Sequence, residues 1–189
     1  MTNPTLQTIA ERFSCRSYTG ESIDPDKLKA IVQAGLQSPS AVDQQKWRLK
    51  VITNKALIDE MNDEALAMLK ANSDQTAYER IMGRGGKVYY NAPAMILVMK
   101  VEEQAMTNML DIDCGIMVQN MALAATSVGY NSVIVAMGGL VLTGPRSDYF
   151  KDKLRVAEGE TFAIGLLLGE GNMTKDPHAI GWDKVSYIN

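Results

Sequence analysis

Two guanidinium groups and a hydroxyl recur at alternate positions in Arg12-Phe13-Ser14-Cys15-Arg16, the first stretch of the chain whose residue types and spacing could do chemistry. In an extended segment successive side chains point to opposite faces, so Arg12, Ser14 and Arg16 share one side while Phe13 and Cys15 share the other. The polar side has the make-up of an anion reader. At roughly 3.3 Å of rise per residue the two arginine backbones stand about 13 Å apart, so that one can meet a phosphate while the other meets a ring of the same long ligand. Two solvated arginines flanking a helix end are the plainer reading of these five residues taken alone.

Other chemistries are scarce. The one histidine, His178, lies in a polar tail, and a surface or ligand-contact role suits it better than pairing with a cysteine or serine nucleophile. Asp111 and Asp113 sit two apart on a predicted helix and therefore face different ways, which favours solvation or capping over metal ligation. Glu158 and Glu160 flank Gly159 in what reads as a wet turn. Gly83-Arg84-Gly85-Gly86 and the glycines from Gly165 to Gly171 lack the strand-loop-helix fingerprint of a dinucleotide fold, and no P-loop is present. Cys15 and Cys114 are too few for a disulfide framework or a thiolate metal site, which fits a reduced, cytoplasmic compartment. What remains is a set of polar segments at element junctions, suited to holding a cofactor that carries the reactivity itself.

Length and composition set the frame for these segments. A chain of 189 residues, 46% hydrophobic and 22% charged, supports one domain spanning residues 1–189 with a proper core. A net charge of −3 gives no general attraction to nucleic acid or an anionic membrane, so any phosphate binding must be local. The N-terminus lacks a basic segment followed by an apolar run, and the most apolar stretch, Gly115 to Val128, is interrupted by Gln119 and Asn120 and is too short to span a bilayer.

The elements that must position the arginines follow from periodicity. A short amphipathic helix over Thr5 to Phe13 delivers the chain into the arginine stretch, and Asp24-Pro25 opens a second helix that ends before Pro39. A strand over Trp47 to Ile52 precedes a helix capped by Asn54 that runs through Leu69, and a shorter helix reaches Met82. Ala94 to Met99 reads as a buried, central strand, and the longest helical pattern runs from about Glu103 to Val128. That helix is apolar all round in its second half and needs cover on every side, part of it from a second subunit. Asn131 to Met137 reads as a strand ended by Gly138-Gly139, Gly144-Pro145 starts a polar helix through Lys153, and Phe162 to Gly169 forms the last strand. In the tail, Trp182, Val185, Tyr187 and Ile188 also need apolar cover.

With these elements in order, the chain resembles the flavin-dependent nitroreductase family. The resemblance is carried by Arg12 to Tyr18, by Ser38-Pro39-Ser40-Ala41-Val42-Asp43-Gln44-Gln45-Lys46-Trp47, by Asn91-Ala92-Pro93 before a buried strand, by the helix containing Gln119-Asn120-Met121, and by Phe162-Ala163-Ile164-Gly165. It implies an α+β fold with a central mixed β-sheet surrounded by helices, and an intertwined homodimer binding FMN in two clefts at the subunit interface. Such a dimer would cover the apolar helix and the tail. By the same resemblance Arg12 binds the FMN phosphate, Ser14 contacts the ribityl chain or phosphate, and Arg16 is the cation beside the flavin N1 and C2 carbonyl. Pro39 and Ser40 match positions that contact the flavin from the partner subunit, and Gly138 and Gly139 fall near a loop approaching its N5 edge. Asp43 replaces the usual asparagine, Lys46 the usual proline, and Lys175, His178 and Lys184 are the tail residues able to reach the phosphate. The implied activity is ping-pong transfer of hydride or electrons from NAD(P)H to a nitroaromatic, a quinone or a similar acceptor. Dehalogenation or flavin breakdown on the same fold, or flavin binding with little turnover, are its alternatives.

Overall fold

The structure, a computed structural model, describes residues 3–102, 107–177 and 179–188. Side chains with acceptor oxygens start its first helices. Asn3 accepts the N–H groups of Thr5 and Leu6 at 2.9 and 3.3 Å to begin α1 (Pro4–Glu11), and Asp24 accepts those of Asp26 and Lys27 at 2.8 and 3.2 Å to begin α2 (Pro25–Leu36). Each cap is worth about 1 kcal/mol. Helix α1 ends at Glu11, two residues before the predicted end at Phe13, and Arg12 leaves it with extended dihedrals. The chain continues through β1 (Trp47–Ile52), α3 (Lys55–Ala71, capped by Asn54), α4 (Thr76–Met82), β2 (Ala94–Val101), α5 (Thr107–Ser127), β3 (Asn131–Val135), α6 (Ser147–Lys153) and β4 (Glu160–Gly169). The predicted start of the long helix at Glu103 lies outside the described residues.

The four strands form one sheet in the order β1-β2-β4-β3, with every neighbouring pair antiparallel. Strand β2 is central, as its unbroken apolar run requires. Alternation along the strands assigns two cores. Met95, Leu97, Met99, Val133 and Leu167 pack on one face with Ile58, Met61, Ile81 and Phe150 from α3, α4 and α6. Ala94, Ile96, Val98, Leu166 and Leu168 pack on the other with Leu28 and Ile31 of α2 and Met117, Met121 and Ala125 of α5. A register shift between Val98 and Met99 leaves Ala163 as the extra residue of a bulge in β4, so that Ala163 and Ile164 both lie on the α2/α5 side.

The parallel component of the expected mixed sheet is a single bridge, Ser14 to Ser132. Strand β3 stops at Val135, two residues before its predicted end, because Ala136–Leu142 winds into a 3-10 segment. The helix expected from Gly144 begins at Ser147. Two acidic pairs resolve by packing. Asp111 is exposed and pairs with Lys100 at 3.0 Å, whereas Asp113 is buried rather than solvated, since α5 turns it toward the backbone of Ala41. Glu160 leaves the Gly159 turn to meet Lys50 at 2.6 Å. Among the described residues no helix is long and apolar enough to cross a membrane.

Candidate functional site

The arginine segment is a short strand in all but length. Its Ser14 bridges Ser132 at the start of β3, and the Cys15 N–H donates to the Ser132 carbonyl at 3.0 Å. On its other edge it runs antiparallel to the residues just after β4. Tyr18 bridges Gly171, the Thr19 N–H donates to the Glu170 carbonyl at 3.0 Å, and the Asn172 N–H donates to the Ser17 carbonyl at 3.2 Å. The Arg16 N–H donates to the sulfur of Met173 at 3.2 Å. Pairing on both edges forces the alternation expected of an extended chain. Cys15 is wholly buried, its thiol donating to the Ser17 carbonyl, and Phe13 packs against the same core. Arg16 is exposed, and Arg12 and Ser14 are half-buried.

Neither arginine has an ion-pair partner among the described residues. Arg146, by contrast, is spent on Glu60 at 2.7 Å and on the rings of Tyr149 and Phe150. Arg12 and Arg16 are therefore cations held on a fixed backbone with their donors uncommitted, which is the donor set for a phosphate or another oxyanion.

Pro39, Ser40 and Asp43 occupy a second anchorage. Residues Ala41–Asp43 form one 3-10 turn after α2, and Val42, Asp43 and Gln45 all have positive φ, at 46°, 55° and 48°. Left-handed dihedrals cost a non-glycine residue about 1–2 kcal/mol, most for a β-branched one such as Val42. Such a turn persists only when its surroundings over-determine it. Here Ser40 Oγ accepts the Gln45 N–H at 3.0 Å, Asp43 Oδ1 accepts from Gln45 Nε2 at 2.7 Å, and the Asp113 carboxylate accepts the Ala41 N–H. Two helical turns along α5, Asn120 donates its side-chain amide to Ser38 Oγ at 2.8 Å. Asp113 and Asn120 thus share one face of α5 and grip both ends of the segment 38–41. Pro39 is exposed between those grips and Ser40 is half-buried.

Gly138 and Gly139 are buried in the 3-10 segment after β3, and a Cβ on Gly139 would lie 2.3 Å from the ring of Phe162. Their missing side chains are accounted for by protein packing. Lys184 is exposed in the 3-10 turn Trp182–Lys184, Lys175 is exposed upstream of it, and His178 lies outside the described residues. No group of three or more His, Cys, Asp or Glu that could hold a metal ion occurs among the described residues. Sequence reasoning missed Asp113, Asn120 and Met173 as holders of the two anchorages. Only the Arg-x-Ser-x-Arg alternation and the Ser-Pro-Ser turn were visible, because the holders come from distant segments.

The sequence model described as the nitroreductase family matches residues 9–169 of the chain. A crystal structure of a nitroreductase with bound FMN from Desulfitobacterium hafniense DCB-2 is 42% identical, aligns over 100% of both chains and has a TM-score of 0.93. A second nitroreductase with bound FMN, from Bacteroides fragilis NCTC 9343, is 26% identical over 100% of both chains with a TM-score of 0.88. An NADPH-flavin oxidoreductase of Vibrio harveyi is 26% identical over 181 residues, which is 88% of this chain and 65% of that protein.

Proposed function

The chain belongs to the nitroreductase family, and from that premise we propose that it is an FMN-dependent oxidoreductase using NAD(P)H to reduce a nitroaromatic, a quinone or a similar acceptor. When bound, FMN supplies two-electron transfer between a reduced nicotinamide and that acceptor. The observation that carries this reading is the arginine segment, in which two cations without carboxylate partners among the described residues flank a hydroxyl on a backbone pinned along both edges.

Those residues fit the cofactor by the chemistry of the donor set. Arg12 suits the phosphate, Ser14 can hydrogen-bond the polar chain between phosphate and ring, and Arg16 supplies a positive charge for the pyrimidine end of the ring. A fixed cation there favours the more negative, reduced form. Pro39 and Ser40, on a turn clamped to α5, are assigned to a cofactor shared with a second copy of the chain, and Asp43, Gly138, Gly139, His178 and Lys184 are secondary assignments. A homodimer is supported by apolar surface left open in one chain. Ile180, Trp182, Tyr187 and Ile188 in the tail are 74%, 66%, 76% and 93% exposed, and Ile112 on α5 is 55% exposed.

The test is spectroscopic. Purified protein is expected to be yellow, to release FMN on denaturation, to bleach under anaerobic NADH or NADPH and to recover colour when a quinone or nitroaromatic is added. Protein that is colourless and takes up no added FMN would sink the reading, and a flavin that stays oxidised at saturating nicotinamide would reduce it to flavin binding without turnover. Light scattering is expected to give twice the chain mass.

A further inference from the structure

We propose that Met173 is a positioning residue for Arg16, acting through the hydrogen bond that its thioether sulfur accepts from the Arg16 backbone N–H. This rests on the assignment of Arg16 to the flavin ring. Along the arginine segment the Cys15 and Thr19 N–H groups find backbone carbonyls at 3.0 Å, and Ser17 offers its carbonyl to Asn172. The Arg16 N–H goes instead to a side chain, at 3.2 Å, and to a weak acceptor. Between Cys15 and Ser17, which the backbone ladder holds, the N–H of the residue that bears the cation is thus held by a methionine of another segment.

Met173 is itself delivered to that spot by its neighbours. Gly171 is wedged between Cys15 and Asn131, where a Cβ would lie 2.7 Å from both Cys15 Sγ and Asn131 Oδ1. Asn131 Oδ1 accepts the Gly171 N–H at 3.1 Å, which fixes the chain two residues before Met173. The Met173 side chain then packs, half-buried, against the core that contains Cys15 and Tyr18. Close backbone approach at a glycine, a side-chain latch and apolar seating together aim the sulfur at Arg16. The starting point of the Arg16 side chain is thereby tied to the first residues of the tail. A sulfur on an unbranched stem can follow small shifts of the segment as a ligand settles, which a rigid carbonyl ladder would resist.

Met173→Leu keeps the volume and removes the acceptor, whereas Met173→Asn places a carbonyl oxygen at the corresponding side-chain position and restores one. Two measurements read the consequence. In protein freed of flavin, hydrogen exchange at the Arg16 amide is expected to speed up about threefold or more in Met173→Leu and to stay near wild type in Met173→Asn. Equal Arg16 exchange in wild type and Met173→Leu overturns the proposal. In FMN-loaded protein, the midpoint potential is expected to fall in Met173→Leu in the same direction as in Arg16→Ala, and to recover in Met173→Asn. A potential unmoved by Met173→Leu while Arg16→Ala lowers it also overturns the proposal. Loss of packing alone would move both Met173 variants together. Failure of the underlying function is read separately, as the absence of FMN binding by the wild type.

Discussion

The carboxylate of Asp113 accepts the backbone N–H of Ala41, with its two oxygens 3.1 and 3.3 Å from that nitrogen. A buried helix residue therefore restrains a turn in which Val42, Asp43 and Gln45 are left-handed. Asp113→Ala is expected to cost about 1–3 kcal/mol of stability, the range for leaving a buried partner unsatisfied, and to raise protease sensitivity between residues 40 and 46. Asp113→Asn, which keeps an acceptor oxygen, is expected to recover most of that loss. Thermal unfolding of the three proteins, with cleavage sites mapped by mass spectrometry, checks both expectations.

Arg12 and Arg16 are expected to separate by readout. On the proposed assignment, Arg12→Ala is expected to weaken FMN binding about tenfold or more and to flatten its salt dependence, as loss of a phosphate contact would. On the same assignment, Arg16→Ala is expected to lower the flavin reduction potential and to slow reduction by nicotinamide, as removal of a fixed cation from beside the reduced ring would. Fluorescence titration at two ionic strengths and anaerobic potentiometry distinguish the two. An unchanged potential in FMN-loaded Arg16→Ala would remove Arg16 from that role.

A methyl group on Gly139 has nowhere to go, with the Phe162 ring atoms 2.3 to 2.7 Å from its ideal position. Gly139→Ala is expected to destabilise the chain by about 1–3 kcal/mol through overpacking. Adding Phe162→Leu is expected to return part of that stability. Chemical denaturation of the single and double variants measures the coupling.

The two thiols are expected to be inert. Burial raises the pKa of Cys15, and burial with the charge of Asp111 pushes Cys114 up to about 11 from 9.0. The thiolate is the reactive form, so iodoacetamide at pH 8 should label neither in native protein and both in denaturant. Because the unfolded state loses these protons first, their contribution to stability is complete below the ordinary thiol range. For Cys114 it is lost as pH rises from 9.0 toward about 11. Denaturation midpoints across that interval should decline, and less steeply in Cys114→Ala.

Residues with strong local rules announced the fold. The alternation of Trp47 to Ile52, the apolar run from Ala94, and the capping side chains of Asp24 and Asn54 each carry their own physics in a few neighbouring positions, and each element formed where those rules place it. Ala136 and Met137 misled because an apolar run after a strand reads the same whether it stays extended or coils into a 3-10 turn, as it does here. Within the site, the outward set of Arg12, Ser14 and Arg16 was legible because period two is a backbone property. The burial of Asp113 was not, since it depends on α5 lying beside a turn 72 residues earlier. The sulfur beneath Arg16 has no local signature at all.

That separation has a consequence for assembly. The arginine segment is made well before the sulfur that receives the Arg16 N–H, which belongs to a residue 157 positions later. Until β4 and the residues after it are made, the segment can pair only along the edge that meets Ser132, and it lacks both its second edge and the Gly171 wedge. Contacts of such long range are expected to close late and slowly. On the proposed assignment of this segment to FMN, its late completion makes cofactor capture the expected final event of folding, with free FMN speeding recovery of native protein only after the sheet has formed.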